Sequence, residues 1–170
     1  HGIIHAFAGN TSGDNQCGGG VPTSVGLGTP QGIGVDSSDN VYIADPTCGM
    51  IFKVDAAGKT LTTVAGGLTA SLTGDGGPAT NTVLGYPVGV AVDSAGTIYI
   101  ADSGSNSIRT VDKGGVIHTL AGNGASNFTG DGGPARSAAL SSPMSVAVDR
   151  AGSVYIADFG EPTSEDRFCD

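Results

Sequence analysis

The chain has 170 residues, of which 30 are glycine and none is tryptophan, and its formal net charge at neutral pH is −9. Seven basic residues are too few to form the positive surface that nucleic acid or an anionic membrane requires, so neither is expected as a partner. No apolar run is long enough to span a bilayer, and no helical periodicity extends beyond a turn or two. This composition is typical of short strands joined by tight glycine turns.

One stretch of sequence occurs three times. In the middle copy, residues 87–102 contain two runs in which apolar residues alternate with small or polar ones, separated by a turn with Asp and Gly. This pattern predicts a β-hairpin. Aligned on Asp36, Asp93 and Asp149, the copies recur with a period of about 57 residues. The chain is therefore expected to be a repeat protein.

Each repeat is predicted to contain four strands. In the middle repeat these are residues 88–92, 97–101, 107–111 and 116–121. A glycine-rich loop then leads to the next repeat. Four short antiparallel strands per repeat are typical of a β-propeller blade, so the predicted fold class is all-β, with propeller blades of four antiparallel strands. Repeated sandwich halves and a β-solenoid are alternatives, and the solenoid fits less well because its period is usually shorter.

The repeated motif resembles a known family. Residues 89–109, with Gly-Val-Ala-Val-Asp followed by Ile-Tyr-Ile-Ala-Asp and then Ile-Arg, resemble the NHL repeat of β-propeller proteins. The loop Thr-Gly-Asp-Gly-Gly-Pro-Ala, at residues 73–79 and 129–135, is similar to that of a bacterial, often secreted, subgroup. The resemblance implies a propeller that serves as a binding or assembly platform, although a few such proteins are lyases.

The two ends of the chain match complementary parts of one blade. Residues 2–10 resemble the end of the middle repeat at 115–123, and residues 166–170 resemble its third strand at 108–112. We therefore expect a single module over 1–170. It would contain one blade within 30–66, a second within 87–122, and a third split between 143–170 and a fourth strand at 1–9.

Three blades are too few to close a propeller ring, and unpaired sheet edges recruit partner strands. The sequence therefore predicts that the chain is its own partner and donates its first strand to another copy. The residues expected at this junction are Ile3, Ile4, His5, Ala6, Phe7 and Ala8 on the donated strand, and Arg167, Phe168 and Cys169 beside it. A six-bladed ring and a head-to-tail filament are both compatible with this prediction, and so is a fragment of a longer chain.

Metal-binding and catalytic residues are weakly indicated. The loop carboxylates Asp14, Asp75 and Asp131 are calcium candidates, but their loops lack the spaced oxygen ligands of a dedicated site, so a linker role is favoured and no cofactor is predicted. The paired aspartates of each hairpin are expected to cap turns, because they recur in every repeat. His5 and His118 occupy equivalent outer-strand positions, so they cannot form the axial metal site of an NHL-type lyase. No catalytic residue is predicted.

The cysteines indicate the compartment in which the protein is found. In a blade arrangement the loops that contain Cys17 and Cys48 emerge on the same face, so a disulfide between them is within reach, whereas Cys169 is expected to be a small buried apolar residue. A disulfide would place the protein outside the cytoplasm. The triplets at Asn10 and Asn127 match the N-glycosylation pattern, which is a further weak indication of secretion.

The sequence thus predicts an extracellular or cell-surface assembly protein that is not an enzyme. A propeller that binds glycans or peptides is the first alternative, and a metal-dependent lyase is the second.

Overall fold

The computed structural model describes residues 3–10, 17–67, 74–127 and 129–160. Two four-stranded antiparallel sheets and one hairpin follow each other along the chain, which confirms the all-β prediction. Sheet A consists of β1 (Gly32–Val35), β2 (Val41–Asp45), β3 (Met50–Val54) and β4 (Leu61–Ala65). Sheet B consists of β5 (Pro87–Val92), β6 (Ile98–Asp102), β7 (Ser107–Val111) and β8 (Ile117–Ala121). Hairpin C consists of β9 (Pro143–Val148) and β10 (Val154–Asp158).

Helical structure in the described part of the chain consists of four 3₁₀ turns, at Pro22–Ser24, Ala79–Asn81, Ser103–Ser105 and Ala135–Ser137. None of these is long or apolar enough to cross a membrane.

Each hairpin turn is closed by the first aspartate of its repeat. The Asp93 carboxylate accepts a hydrogen bond from the backbone N–H of Thr97 at 2.8 Å, and Gly96 supplies the positive φ of +85° that the turn requires. Asp149 accepts the corresponding bond from the backbone N–H of Ser153 at 2.9 Å. The aspartates therefore have the turn-capping role expected of them.

The second aspartate of each repeat fixes the preceding linker to its sheet. Asp45 is fully buried, and its carboxylate accepts backbone hydrogen bonds from Gly28 and Thr29 at 2.7 and 3.0 Å. The equivalent Asp102 is also buried and binds the backbone of Gly85 and Tyr86. Because hydrogen bonds to several N–H groups compensate a carboxylate for lost hydration, these side chains can remain inside the fold.

The innermost strands of neighbouring sheets lie in close contact. A side chain at Gly32 of β1 would collide with the Val88 carbonyl of β5, and a Cβ atom at Gly89 would lie 3.0 Å from Cα of Ser145 in β9. Small residues at these positions therefore allow the sheets to stack face to face. The cores of the protein lie mainly between and beneath these stacked faces.

The linkers also pair with the outer strands. The backbone N–H of Gly76 donates to the Ile117 carbonyl of β8 at 2.8 Å, and the N–H of Ile117 donates to the Gly77 carbonyl at 3.0 Å. In sheet A, Gly20 and Leu61 of β4 exchange a similar pair of hydrogen bonds. Each four-stranded sheet is thus bordered on its outer edge by the linker that precedes it.

Candidate assembly interface

Each sheet presents two different faces to its neighbours. We call the side toward the preceding sheet the leading face and the side toward the following sheet the trailing face. The leading faces comprise Ile33, Val35 and Ile43 in sheet A, Val90, Ile98 and Ile100 in sheet B, and Val146, Val154 and Ile156 in hairpin C. The trailing faces comprise Gly32, Gly34, Tyr42 and Ala44 in sheet A, Gly89, Ala91, Tyr99 and Ala101 in sheet B, and Ser145, Ala147, Tyr155 and Ala157 in hairpin C.

The interface between sheets A and B shows how the two faces fit. Tyr42 and Ala44 of the trailing face belong to one buried cluster with Val90 and Ile100 of the leading face. Leu84, from the linker before sheet B, completes this cluster. Large β-branched residues on one face thus pack against an aromatic ring and small residues on the other.

The leading face of sheet A has no covering sheet in the described chain. Ile33 is 70% exposed, whereas Val90 and Val146, at the same position of the later repeats, are 6% and 5% exposed. Val35 is exposed as well. Ile33 borders an apolar groove of about 300 Å³ that is also lined by Phe7 and Leu27. The β1 side of this face, at Ile33 and Val35, is therefore open, whereas Ile43 of β2 is buried in the core beneath sheet A.

The trailing face of hairpin C is open in the same way. Tyr155 is 61% exposed, whereas the equivalent Tyr42 is 5% exposed. Met144 and Phe159 add further exposed apolar surface on this hairpin. Ser145 and Ala147 keep this face as shallow as the covered faces of sheets A and B. The exposed faces of the described chain are therefore complementary in character.

A hydrogen bond orients each of the equivalent tyrosines. The hydroxyl of Tyr42 donates to Asp36 at 3.1 Å, and that of Tyr155 donates to Asp149 at 3.2 Å. Burial, together with the negative charge of Asp36, raises the pKa of Tyr42 to about 12. Backbone hydrogen bonds, first from Ser153, lower the pKa of Asp149. The ring of Tyr155 is thus held over the open face by an ionised carboxylate.

The segment predicted to be donated lies apart from the sheets. Residues 3–8 form no strand, and Ile3, Ile4, His5, Ala6 and Phe7 are exposed, with Ile4 98% exposed. Its end is anchored, because the backbone N–H of Gly9 donates to the Pro22 carbonyl at 3.0 Å. Ala8 packs partly against the core beneath sheet A. The remaining predicted junction residues, Arg167, Phe168 and Cys169, lie outside the described residues.

Asp75, a calcium candidate, is engaged by cationic side chains. It forms salt bridges with Arg109, at 3.2 Å, and with Arg136, and it accepts hydrogen bonds from the backbone and hydroxyl of Thr119, both at 2.8 Å. Burial raises its pKa, but the Thr119 hydrogen bonds and the two arginines outweigh burial and lower it overall. With two guanidinium groups on the carboxylate, this geometry is that of a structural clasp between two linkers, which argues against a calcium ligand at this position.

The other candidate ligands are dispersed. Asp131 is exposed, and Asp14 lies outside the described residues. His118 is exposed on the outer strand β8. Within the ranges that the structure describes, no three His, Cys, Asp or Glu side chains are close enough to hold a metal ion together.

Cys17 and Cys48 form the expected disulfide, with their Cα atoms 5.5 Å apart. The bond ties the segment before β1 to the β2–β3 turn. The backbone N–H of Cys48 also donates to the buried carboxylate of Asp45 at 3.2 Å. This region is therefore held by both a covalent and an electrostatic link.

Sequence reasoning did not identify Ile33 and Tyr155 as interface residues. Both belong to the repeated hairpin, and a recurring pattern indicates scaffold. No local sequence signal separates them from their buried equivalents, because Ile33 and Tyr155 share the repeat pattern with Val90 and Tyr42.

Comparison with known proteins supports the repeat assignment. The family model of the teneurin NHL domain matches residues 68–127. Teneurin-3 of Danio rerio is 51% identical over 49 residues, which are 29% of this chain and 2% of that protein. Teneurin-m of Drosophila melanogaster is 48% identical over 50 residues, with the same coverage. The chain thus spans a very small part of these relatives.

Solved structures share the fold at low sequence identity. A protein of unknown function from Bacteroides thetaiotaomicron superposes with a TM-score of 0.60 and 24% identity, over 71% of this chain and 30% of that one. A chain of the nidogen/laminin complex superposes with a TM-score of 0.54 and 22% identity, over 76% of this chain and 40% of that one. A gluconolactonase from Xanthomonas campestris superposes with a TM-score of 0.54 and 16% identity, over 78% of this chain and 35% of that one.

These structures include both an enzyme and a protein complex, so the shared fold does not select between catalysis and binding. The fold is suited to an interaction platform. The sheets and the superposed structures show a β-propeller fold, and the matched segment, residues 68–127, is similar to the teneurin NHL domain.

Proposed function

We propose that this chain is an extracellular assembly module that binds copies of itself by donating residues 3–8 as the fourth strand of the blade that begins with hairpin C in another copy. The observation that carries the proposal is the state of this segment. It has the sequence pattern of an outer strand, yet its apolar side chains are exposed and it pairs with no strand in the described part of the chain.

Sheet B supplies a template for the docked strand. Its outer strand β8 lies between β7 and the linker residues 76–79, with hydrogen bonds on both edges. The linker before hairpin C repeats this sequence at 132–135. In the described part of that linker, a single bridge is formed, between Thr129 and Ala139 within the linker itself. Among the described residues of the third repeat, no strand occupies the position that β8 has in sheet B.

The alignment fixes the expected register. Ile4 corresponds to Ile117, and Gly132 and Gly133 correspond to Gly76 and Gly77. The backbone N–H of Gly132 is then expected to donate to the Ile4 carbonyl of a second copy, and Ile4 to donate in turn to Gly133. This is β-strand addition, in which the main chain provides affinity and alternate side chains provide specificity.

The side chains of the segment suit this placement. Ile117 is fully buried in sheet B, whereas His118 beside it points to solvent. Docking would bury Ile4 in the same way and leave His5 exposed. Burying one isoleucine contributes about 2 kcal/mol, which is offset in part by the cost of ordering the segment.

The Cys17–Cys48 disulfide supports an extracellular location, because such bonds persist in oxidising compartments. The similarity to teneurin-3 is compatible with this location and covers 29% of the chain.

The test compares two neighbouring substitutions by light scattering after size exclusion. Ile4→Asp should convert oligomers to monomers, because it places a charge at a position buried on docking. His5→Asp is the matched control and should leave the mass unchanged. Assembly by the Ile4→Asp variant at the wild-type level would contradict strand donation, and a wild-type chain that stays monomeric at all concentrations would refute self-association altogether.

A second candidate function is the binding of a polar ligand. A cleft of about 480 Å³ between sheets A and B is lined by Asp36, Asn40, Lys53, Asp112 and Lys113, among others. Ligand-observed NMR with neutral and acidic monosaccharides should show binding that a Lys53→Ala/Lys113→Ala variant loses. Unchanged spectra across the set would remove this candidate.

A further inference from the structure

We propose that Asn123 is a site of slow, enzyme-free deamidation, in which the peptide nitrogen of Gly124 attacks the side-chain amide, and that the product loosens the linker before hairpin C. The inference is independent of the proposed self-association. The loop at residues 122–125 directly follows β8, where that linker begins. Asn123 is the only asparagine in the sequence that is followed by glycine.

The side chain of Asn123 holds this linker to the end of sheet B. Its amide Nδ2 donates to the Ser137 carbonyl at 3.1 Å, and beside it the backbone N–H of Gly122 donates to the Ala135 carbonyl at 3.0 Å. Both carbonyls belong to the 3₁₀ turn at Ala135–Ser137. An amide can donate such a bond, whereas an ionised carboxylate can only accept one. The side-chain clamp therefore depends on an intact amide.

The linker before sheet A has an equivalent clamp. The side-chain amide of Asn10 donates to the Ser24 carbonyl at 3.0 Å, next to the bond between Gly9 and Pro22. In the linker before sheet B, Gly67 stands in place of the asparagine and offers no side chain for a clamp. Sheet B nevertheless packs on sheet A in one buried cluster. Loss of the side-chain bond is therefore expected to loosen a linker without unfolding the sheets.

A second hydrogen bond activates the same amide. The backbone N–H of Ala125 donates to Oδ1 of Asn123 at 2.9 Å, which closes an Asx turn and folds the side chain over the peptide that follows it. When a nucleophile adds to the amide carbon, negative charge develops on Oδ1. A donor that already points at this oxygen stabilises that charge, as the donors of an oxyanion hole do.

The attacking group, the backbone nitrogen of Gly124, is accessible. Gly124 is exposed, and apart from its chain neighbours no heavy atom lies within 4 Å of the position that a Cβ atom would occupy. Within the described part of the chain, its N–H donates no hydrogen bond that would hold the nitrogen back. Glycine also lacks the Cβ atom that shields this nitrogen in other residues. The amide carbon and the nitrogen that attacks it are thus adjacent and unobstructed.

The reaction consumes one water and releases one ammonia. Water or hydroxide removes the N–H proton of Gly124, the nitrogen bonds to Cγ of Asn123, the Cγ–Nδ2 bond breaks and ammonia leaves. Water then opens the resulting succinimide, at Cγ to give aspartate or at the backbone carbonyl to give isoaspartate. Either product places a carboxylate where the amide donor faced the Ser137 carbonyl. Two acceptors then oppose each other, so the clamp is lost.

The experiment ages the folded chain at mildly alkaline pH and body temperature and follows each asparagine by peptide mapping. Fragmentation spectra locate the mass gained when NH₂ is replaced by OH, and they distinguish isoaspartate from aspartate. Asn10 is the internal control, because it makes the equivalent clamp but is followed by threonine. Asn123→Gln is the control variant, since its longer side chain would have to form a larger ring. Asn123→Asp represents the product in hydrogen-exchange measurements.

We expect Asn123 to be modified at least about tenfold faster than Asn10, because glycine follows it, and position 123 of Asn123→Gln to stay unmodified. Residues 129–142 should exchange faster in the aged chain and in Asn123→Asp than in fresh wild type, while residues 17–30 exchange as before. Modification of Asn123 no faster than that of Asn10, or only after denaturation, would overturn the site. Modification that leaves the exchange of residues 129–142 unchanged would overturn the loosening of the linker.

Discussion

Ile33 in sheet A and Val90 in sheet B hold the same position in the repeat but have opposite surroundings. Val90 is enclosed between sheets A and B, whereas Ile33 faces solvent. Tyr42 and Tyr155 differ in the same manner at the other face. Local sequence sets strand, turn and side-chain direction in both members of each pair. Burial depends on the neighbouring sheet, so the contrast between covered and open faces indicates where a further sheet belongs.

The largest difference in stability is expected between the variants Val90→Asp and Ile33→Asp. Val90→Asp should lower the free energy of unfolding by about 4 kcal/mol or more, because an unpaired carboxylate enters the core. Ile33→Asp should change the stability of the monomer by less than about 1 kcal/mol. Urea denaturation at low protein concentration measures both values. Similar losses for the two variants would show that the leading face of sheet A is covered within the monomer.

The disulfide provides the next largest effect. The bond closes a loop with a sequence separation of 31 residues, so replacing Cys17 and Cys48 by serine should cost about 3 kcal/mol. Sheet A should be affected far more than sheet B, because the bond anchors the segment before β1. Hydrogen exchange resolves the two sheets. Cys169→Ser is the control and should leave the exchange of both sheets unchanged, and an equal loss of protection in both sheets would contradict a local role.

Asp75 and Asp131 occupy equivalent loops, but Asp75 forms salt bridges with two arginines whereas Asp131 is exposed. Substituting each in turn shows how much the salt bridges stabilise the linker. Asp75→Asn should cost about 1–2 kcal/mol, because it weakens the contacts with Arg109, Arg136 and Thr119. Asp131→Asn should cost almost nothing in the monomer. Thermal melts measure both effects. An unchanged melting temperature for Asp75→Asn would contradict the clasp.

The same carboxylate predicts an acid effect. The pKa of Asp75 is lowered in the folded state, so its stabilisation is present above the ordinary value near 3.8 and is lost as the pH falls toward the lowered pKa. The stability difference between wild type and Asp75→Asn should therefore shrink below about pH 4. A difference that is constant from pH 7 to pH 2 would contradict this assignment.

The smallest effect concerns Tyr42. Its pKa is raised to about 12, so it stabilises the fold below the ordinary value of 10.0, and this contribution is lost as the pH rises through about 12. Ultraviolet titration should detect one phenol that ionises near pH 12 and disappears in Tyr42→Phe. Tyr155→Phe is the control and should retain that transition. Its persistence in Tyr42→Phe would assign it to another residue.

Much of the fold follows from local patterns that need no tertiary information. Asp93 and Gly96 determine their turn through hydrogen bonding and backbone conformation, and alternation of apolar residues determines which side chains of β6 face each core. The Cys17–Cys48 disulfide could be predicted because blade connectivity brings their two loops to one face.

Other features depend on contacts across long stretches of chain. Asp75 and Arg136 are 61 residues apart and meet because two linkers cross the same outer strand, a contact that no spacing rule anticipates. The open faces were hidden for a different reason, since Ile33 and Tyr155 have the same local sequence pattern as their buried equivalents. Comparison of equivalent residues within one structure was needed to distinguish them.

The native mass of the wild-type chain as a function of concentration tests the central claim most directly. Self-association by strand donation predicts a mass that rises from 16.6 kDa to integral multiples of it, either reaching a defined ring or growing without limit. A mass of 16.6 kDa at every concentration, for a chain that is folded by circular dichroism, would contradict the account.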